Sequence, residues 1–127
     1  VKLAGERAEK RVRHWQQVVI SACEQCGRNH VPEVAPIQPL THWLGNLSPE
    51  ALHLMLAPGA QHRLSELPAP GIPVTLLIGP EGGLSPSEIR AAESCGFTPV
   101  SLGPRVLRTE TAALTALAAM QTLWGDF

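Results

Sequence analysis

The sequence of 127 residues is short of several things, and each absence excludes a class of protein. No apolar run approaches the roughly 20 residues that a helix needs to cross a bilayer. No basic-then-apolar stretch of signal-peptide type stands near Val1. The three cysteines are an odd count, which argues against a disulfide framework and for a reducing, cytoplasmic setting. There are no internal repeats and no low-complexity tracts. No Lys-Ser or Lys-Thr pair follows the glycines after Ile78, and no GxGxxG fingerprint occurs, so nucleotide hydrolysis on a P-loop and hydride transfer both lose support. The five histidines have no motif around them. Cys23-x-x-Cys26 with His30 offers three metal donors but not the fourth that a structural zinc site takes, so no metal is expected.

What is present reads as a globular α/β domain. Hydrophobic residues make up 44% and charged residues 17%, enough apolar material for one core and too little charge for disorder. Residues 6–26 carry Val12, Trp15, Val19, Ala22 and Cys26 at three- and four-residue steps, which predicts a helix stopped by Gly27. Pro32, Pro36 and Pro39 make the following stretch extended. A short helix over 40–47 would turn Trp43 and Leu44 inward. Leu52 to Leu56 predicts a strand closed by Pro58-Gly59, residues 60–67 are ambiguous, and Pro68 to Pro73 form a stiff connection. Val74 to Ile78 is almost wholly apolar, as in a central parallel strand buried on both faces. Ser85-Pro86-Ser87-Glu88 predicts a helix start with a capping box, after which Ile89, Ala92 and Cys95 would face inward. Phe97 to Leu102 is the next strand. Thr109 is expected to cap a last helix, apolar almost all round, that would be buried or lie at a subunit interface. Alternating strands and helices give a parallel sheet flanked by helices.

Two segments point to a ligand. Ile78-Gly79-Pro80-Glu81-Gly82-Gly83-Leu84 and Ser101-Leu102-Gly103-Pro104-Arg105-Val106-Leu107-Arg108 each follow a strand and each open a helix. Glycine-rich turns at such places let backbone amides approach a nucleotide-like ligand closely, though a purely conformational role for the glycines is the alternative. The net charge of −1 gives no sign of a polyanionic partner, but Lys2, Arg7, Lys10, Arg11, Arg13 and His14 crowd the first helix region, with Arg28 beyond. That cluster is either a phosphate-facing stripe or an ordinary solvated face, since Glu6 and Glu9 are interspersed.

These two loops, with Glu24-Gln25-Cys26-Gly27-Arg28, resemble the SPOUT-type RNA methyltransferases, and within them the ribosomal RNA small subunit methyltransferase E family. The resemblance runs over nearly the whole chain. It implies a C-terminal trefoil knot, S-adenosylmethionine as cofactor, homodimers, and methylation of N3 of a uridine in small-subunit ribosomal RNA. Carried onto this sequence, it implicates Ile78, Gly79, Glu81, Gly82, Leu102, Gly103 and Leu107 in cofactor binding. It favours Arg108, which stands inside the family motif, as a catalytic residue, with Arg105 as a second arginine; Glu81 is the other catalytic candidate, as a carboxylate able to accept the proton. Glu24 and Glu110 are further candidates for the proton acceptor. The N-terminal β-barrel and the first strand-helix unit of that family are not recognisable, so residues 1–127 read as its C-terminal catalytic domain, and the resemblance does not imply that this part is active alone. Two rival readings remain: a non-catalytic RNA-binding module and a phosphate-binding α/β enzyme.

Overall fold

The computed structural model describes residues 5–125; Lys2, one of the clustered cations, lies outside them. The chain divides into two compact units, Val1–His42 and Trp43–Phe127.

The first unit is built on α1 (Glu6–Cys26). Its less exposed side runs through Ala8, Val12, Gln16, Val19 and Cys23, a clean three- and four-residue repeat. The inward seam therefore differs from the one predicted. Val12 and Val19 belong to it, but Trp15, Ala22 and Cys26 are exposed and Cys23 is the buried cysteine. The polar member of the seam explains the choice: the Gln16 amide donates to the Pro32 carbonyl at 3.1 Å and accepts from the Val34 amide at 2.8 Å. A proline-rich segment cannot supply its own ladder of donors, and Gln16 holds it extended instead. Arg28 Nε donates to the His30 carbonyl at 2.8 Å, fixing the turn after the helix. The unit boundary falls within α2 (Leu40–Leu44).

The second unit holds a four-stranded sheet, wholly parallel, of order β2-β4-β1-β3. Its strands are β1 (Leu52–Leu56), β2 (His62–Arg63), β3 (Val74–Leu77) and β4 (Thr98–Ser101). The helices are α3 (Pro86–Ser94) and α4 (Thr109–Trp124). Leu54 and Met55 in β1 are both fully buried, and consecutive strand residues point to opposite faces, so β1 is covered on both sides. β3 is apolar but stands at the sheet edge and is only half-buried; the central strand is β1, not the run from Val74 as expected. The ambiguous stretch 60–67 becomes β2 and a 3₁₀ turn, Leu64–Glu66, whose Leu64 is buried. Leu54, Leu64 and Val100 centre the core on one face, and Ala119, Met120 and Trp124 of α4 pack against them. On the other face Phe97 lies between the rings of His53 and Trp43, with centroids 5.1 and 5.7 Å away.

The start of α3 follows its sequence closely. Ser85 Oγ accepts from the Glu88 amide at 3.2 Å, Glu88 Oε1 accepts from the Ser85 amide at 2.8 Å, and Pro86 takes the first turn. Ala92 is buried and Ile89 half-buried, but Cys95 is exposed at the C-cap.

Candidate functional site

In an all-parallel sheet every strand ends on the same edge, and ligands bind in the crevice beyond those ends. Here the loops leaving β1, β3 and β4 converge on one cleft of about 230 Å³. Leu56, Ala57 and Pro58 come from the exit of β1, Ile78 to Glu81 with Gly83 and Leu84 from that of β3, and Leu102, Gly103, Arg105 and Leu107 from that of β4. Thr109 and Ala112 of α4 complete the wall. The lining is predominantly apolar with a few polar groups, the usual composition of a small-molecule site.

The glycines of the β3 exit have separate jobs. The Gly83 amide donates to the Pro80 carbonyl at 2.8 Å, closing a tight turn. Neither Glu81 nor Gly82 within it has a positive φ, whereas Gly83 does, at 78°. A Cβ on Gly79 would stand 2.9 Å from Leu84 Cγ and 3.0 Å from the Leu84 amide nitrogen, so this is the site of close approach. Gly82 needs neither property: a Cβ there meets open space, and Gly82 does not line the cleft.

The two loops are tied together by a hydrogen bond that sequence reading missed. Thr109 Oγ donates to the Gly79 carbonyl at 3.2 Å. Thr109 is thus the first residue of α4 and a brace on the β3 exit, not the helix cap; Arg108 occupies the cap position without a side-chain capping bond. Nothing in the local pattern marks this bond, because its partners are 30 residues apart. The β1 exit was missed for the same reason.

Of the expected cofactor residues, Ile78, Gly79, Glu81, Leu102, Gly103 and Leu107 are brought together in the cleft, and Gly82 is not. Glu81 is the only carboxylate in its lining and Arg105 the only guanidinium. Arg108 is exposed, between the lining residues Leu107 and Thr109 but outside the wall itself. Glu110 is exposed on the first turn of α4, and Glu24 belongs to the other unit. Among the described residues no three His, Cys, Asp or Glu side chains cluster to hold a metal ion. Cys23 Sγ approaches the backbone carbonyl of His30, at 4.0 Å.

The family described as RNA methyltransferase domain matches residues 1–121. Ribosomal RNA small subunit methyltransferase E of Buchnera aphidicola from Schizaphis graminum is 42% identical over 113 residues, which cover 89% of this chain and 46% of that protein. The crystal structure of a ribosomal RNA small subunit methyltransferase E from Neisseria gonorrhoeae, bound to S-adenosyl methionine, superposes with a TM-score of 0.92 at 45% identity. It covers 100% of this chain and 54% of the other. A Legionella pneumophila methyltransferase in complex with its bound cofactor SAM gives the same TM-score and identity, over 100% of this chain and 52% of the other. The chain thus spans about half the length of the relatives it matches. With a matching profile over nearly its full length, this chain belongs to the RNA methyltransferase domain family, and the relatives it resembles there include ribosomal RNA small subunit methyltransferase E proteins.

Proposed function

We propose that the protein is an S-adenosylmethionine-dependent ribosomal RNA methyltransferase acting on N3 of a uridine in the small subunit, and that the cleft at the β1, β3 and β4 exits holds the cofactor. The observation that carries this reading is the convergence of both glycine-rich loops on one apolar cleft. The fit to a nucleoside is chemical: Ile78, Leu102 and Leu107 offer apolar walls, and Gly79, Gly83 and Gly103 line the same cleft without side chains of their own. When bound, S-adenosylmethionine supplies an electrophilic methyl group on a sulfonium.

The chain's own contribution is placement and charge. Methylation at N3 makes an N–C bond, breaks an S–C bond and releases the N3 proton. Glu81, the carboxylate of the cleft lining, is the proposed acceptor of that proton. Arg108, beside the cleft, is the proposed partner for negative charge on the uracil oxygens or an RNA phosphate, with Arg105 inside the wall as the second cation. The proposal extends to a homodimer in the cytoplasm. No helix among the described residues is long and apolar enough to cross a membrane.

The test is calorimetric titration with S-adenosylhomocysteine. Saturable binding by this chain, abolished by Ala112→Phe, is the expected result, because Ala112 lines the cleft from α4 and a phenyl ring there would fill it. Binding unaffected by that substitution in a folded protein would place the cofactor elsewhere. Competition by inorganic phosphate alone would favour a phosphate-binding enzyme instead.

A further inference from the structure

The cleft leaves one charged surface unexplained, on α1. Arg7, Lys10, Arg11 and His14 recur at three- and four-residue steps, so they share one helix face, and all four are exposed. That face lies opposite the seam of Val12, Gln16, Val19 and Cys23. Beyond His14 it continues through Gln17, Val18, Ser21 and Gln25, with Glu24 at its border.

Helix stability does not account for this arrangement. Like charges at these spacings repel by a few tenths of a kcal/mol per pair. The cations also sit in the first half of the helix, near its positive end, while the last turn carries no basic residue. Glu6 and Glu9 stand four residues before Lys10 and Arg13, a spacing suited to helical ion pairs, yet none of these side chains is ion-paired among the described residues. The charge is also concentrated by unit. Up to His42 there are six Lys and Arg against four Glu, and from Trp43 onward four Arg against seven Asp and Glu. Trp15, four residues after Arg11 on the flank of the same face, is 38% exposed although it is the bulkiest apolar residue of the helix.

We infer that this face of α1 is an RNA-binding surface: Arg7, Lys10, Arg11 and His14 hold successive phosphates of a single-stranded segment, and the Trp15 indole stacks on an unpaired base. Arg7, Lys10 and Arg11, with the His14 imidazole as a further hydrogen-bonding group, form a short electrostatic track along about 10 Å of helix axis. An exposed aromatic ring beside such a track is what an unstacked base takes. Only the identity of the polyanion rests on the methyltransferase reading; the surface itself stands on charge and geometry.

The experiment is fluorescence anisotropy of a labelled single-stranded RNA with the whole chain, over a range of salt. The Arg7→Gln/Lys10→Gln/Arg11→Gln variant should bind at least tenfold more weakly at low salt. Its log–log salt slope should be smaller by about two, since each phosphate contact to a single strand contributes roughly 0.7. Arg13→Gln, which removes one charge from a different side of α1, should change the slope less than Arg11→Gln. Trp15→Ala should weaken binding about fivefold or more with the slope unchanged. Circular dichroism confirms that each variant keeps its helix. An unaltered slope in the folded triple variant, equal effects of Arg13→Gln and Arg11→Gln, or no RNA binding by the wild type would overturn the inference. So would binding to anionic phospholipid vesicles in place of RNA. S-adenosylhomocysteine titration of the same samples separates the two proposals. RNA binding without cofactor binding leaves this surface standing and removes the methyltransferase reading; the reverse result removes the surface alone.

Discussion

At the residue scale, the β3 exit shows that three glycines in one loop do not have equal standing. Gly79 is required by space, since any Cβ there meets the Leu84 backbone as well as its side chain. Gly83 is required by its left-handed backbone. Gly82 is required by neither, and the turn geometry around it accepts most residues. Gly79→Ala should therefore destabilise the unit by about 1–3 kcal/mol, the usual cost of overpacking against a rigid neighbour. It should also weaken S-adenosylhomocysteine binding through the displaced loop. Gly82→Ala should stay within about 0.5 kcal/mol of wild type, as surface substitutions do. Denaturant unfolding and calorimetry on the two variants check this pair. Equal losses would mean that the contact at Leu84 relaxes freely. Sequence could name all three glycines as candidates because glycine marks a loop. It could not rank them, because the clash at Gly79 involves a side chain five residues on and depends on how the turn folds back.

At the element scale, legibility followed how local each determinant is. The start of α3 could be read residue by residue because Ser85, Pro86 and Glu88 satisfy its amides within one turn. The span of α1 was equally plain, but its inward side was not. Apolar content favours Trp15 and Cys26, whereas the structure turns Gln16 inward because the distant Pro32–Val34 backbone needs its amide. The position of β3 in the sheet was misread for a related reason. A run of apolar residues reports burial, and here the edge strand is as apolar as a central one. The cleft was two-thirds legible: the two glycine loops could be found, but the β1 exit and the Thr109 brace depend on strand order. That brace joins β3 to α4, and it gives a prediction. Thr109→Val keeps the shape and removes the hydroxyl, leaving the Gly79 carbonyl without that donor. The cost should be about 0.5–1.5 kcal/mol, seen as roughly two- to tenfold weaker S-adenosylhomocysteine binding. Unchanged affinity by calorimetry would show that the β3 exit is held by its own turn.

At the scale of the whole molecule, the question is what covers α4. Its inner face, with Ala116 fully buried and Ala119 and Met120 against the sheet core, is spoken for. Its other side carries Leu114 and Leu117, one turn apart and 71% and 53% exposed. Two exposed leucines on one helix face, in a chain whose last helix has a single carboxylate, are expensive to hydrate singly and cheap to bury against a copy of themselves. A two-fold contact along this face brings the same residues of both copies together, as the proposed homodimer requires. Leu114→Glu/Leu117→Glu would place four carboxylates at that contact and should convert a dimer to a monomer in sedimentation experiments at micromolar concentration. The cleft residues Thr109 and Ala112 occupy the less exposed side of the same helix, so far-ultraviolet circular dichroism should be unchanged and the fold retained. A wild-type chain that sediments as a monomer over that range would remove the dimer from the proposal. A variant that stays dimeric would keep the dimer and move its interface off α4. If the variant is monomeric and also loses S-adenosylhomocysteine affinity, the cofactor cleft depends on the second copy, because neither substituted leucine lines it.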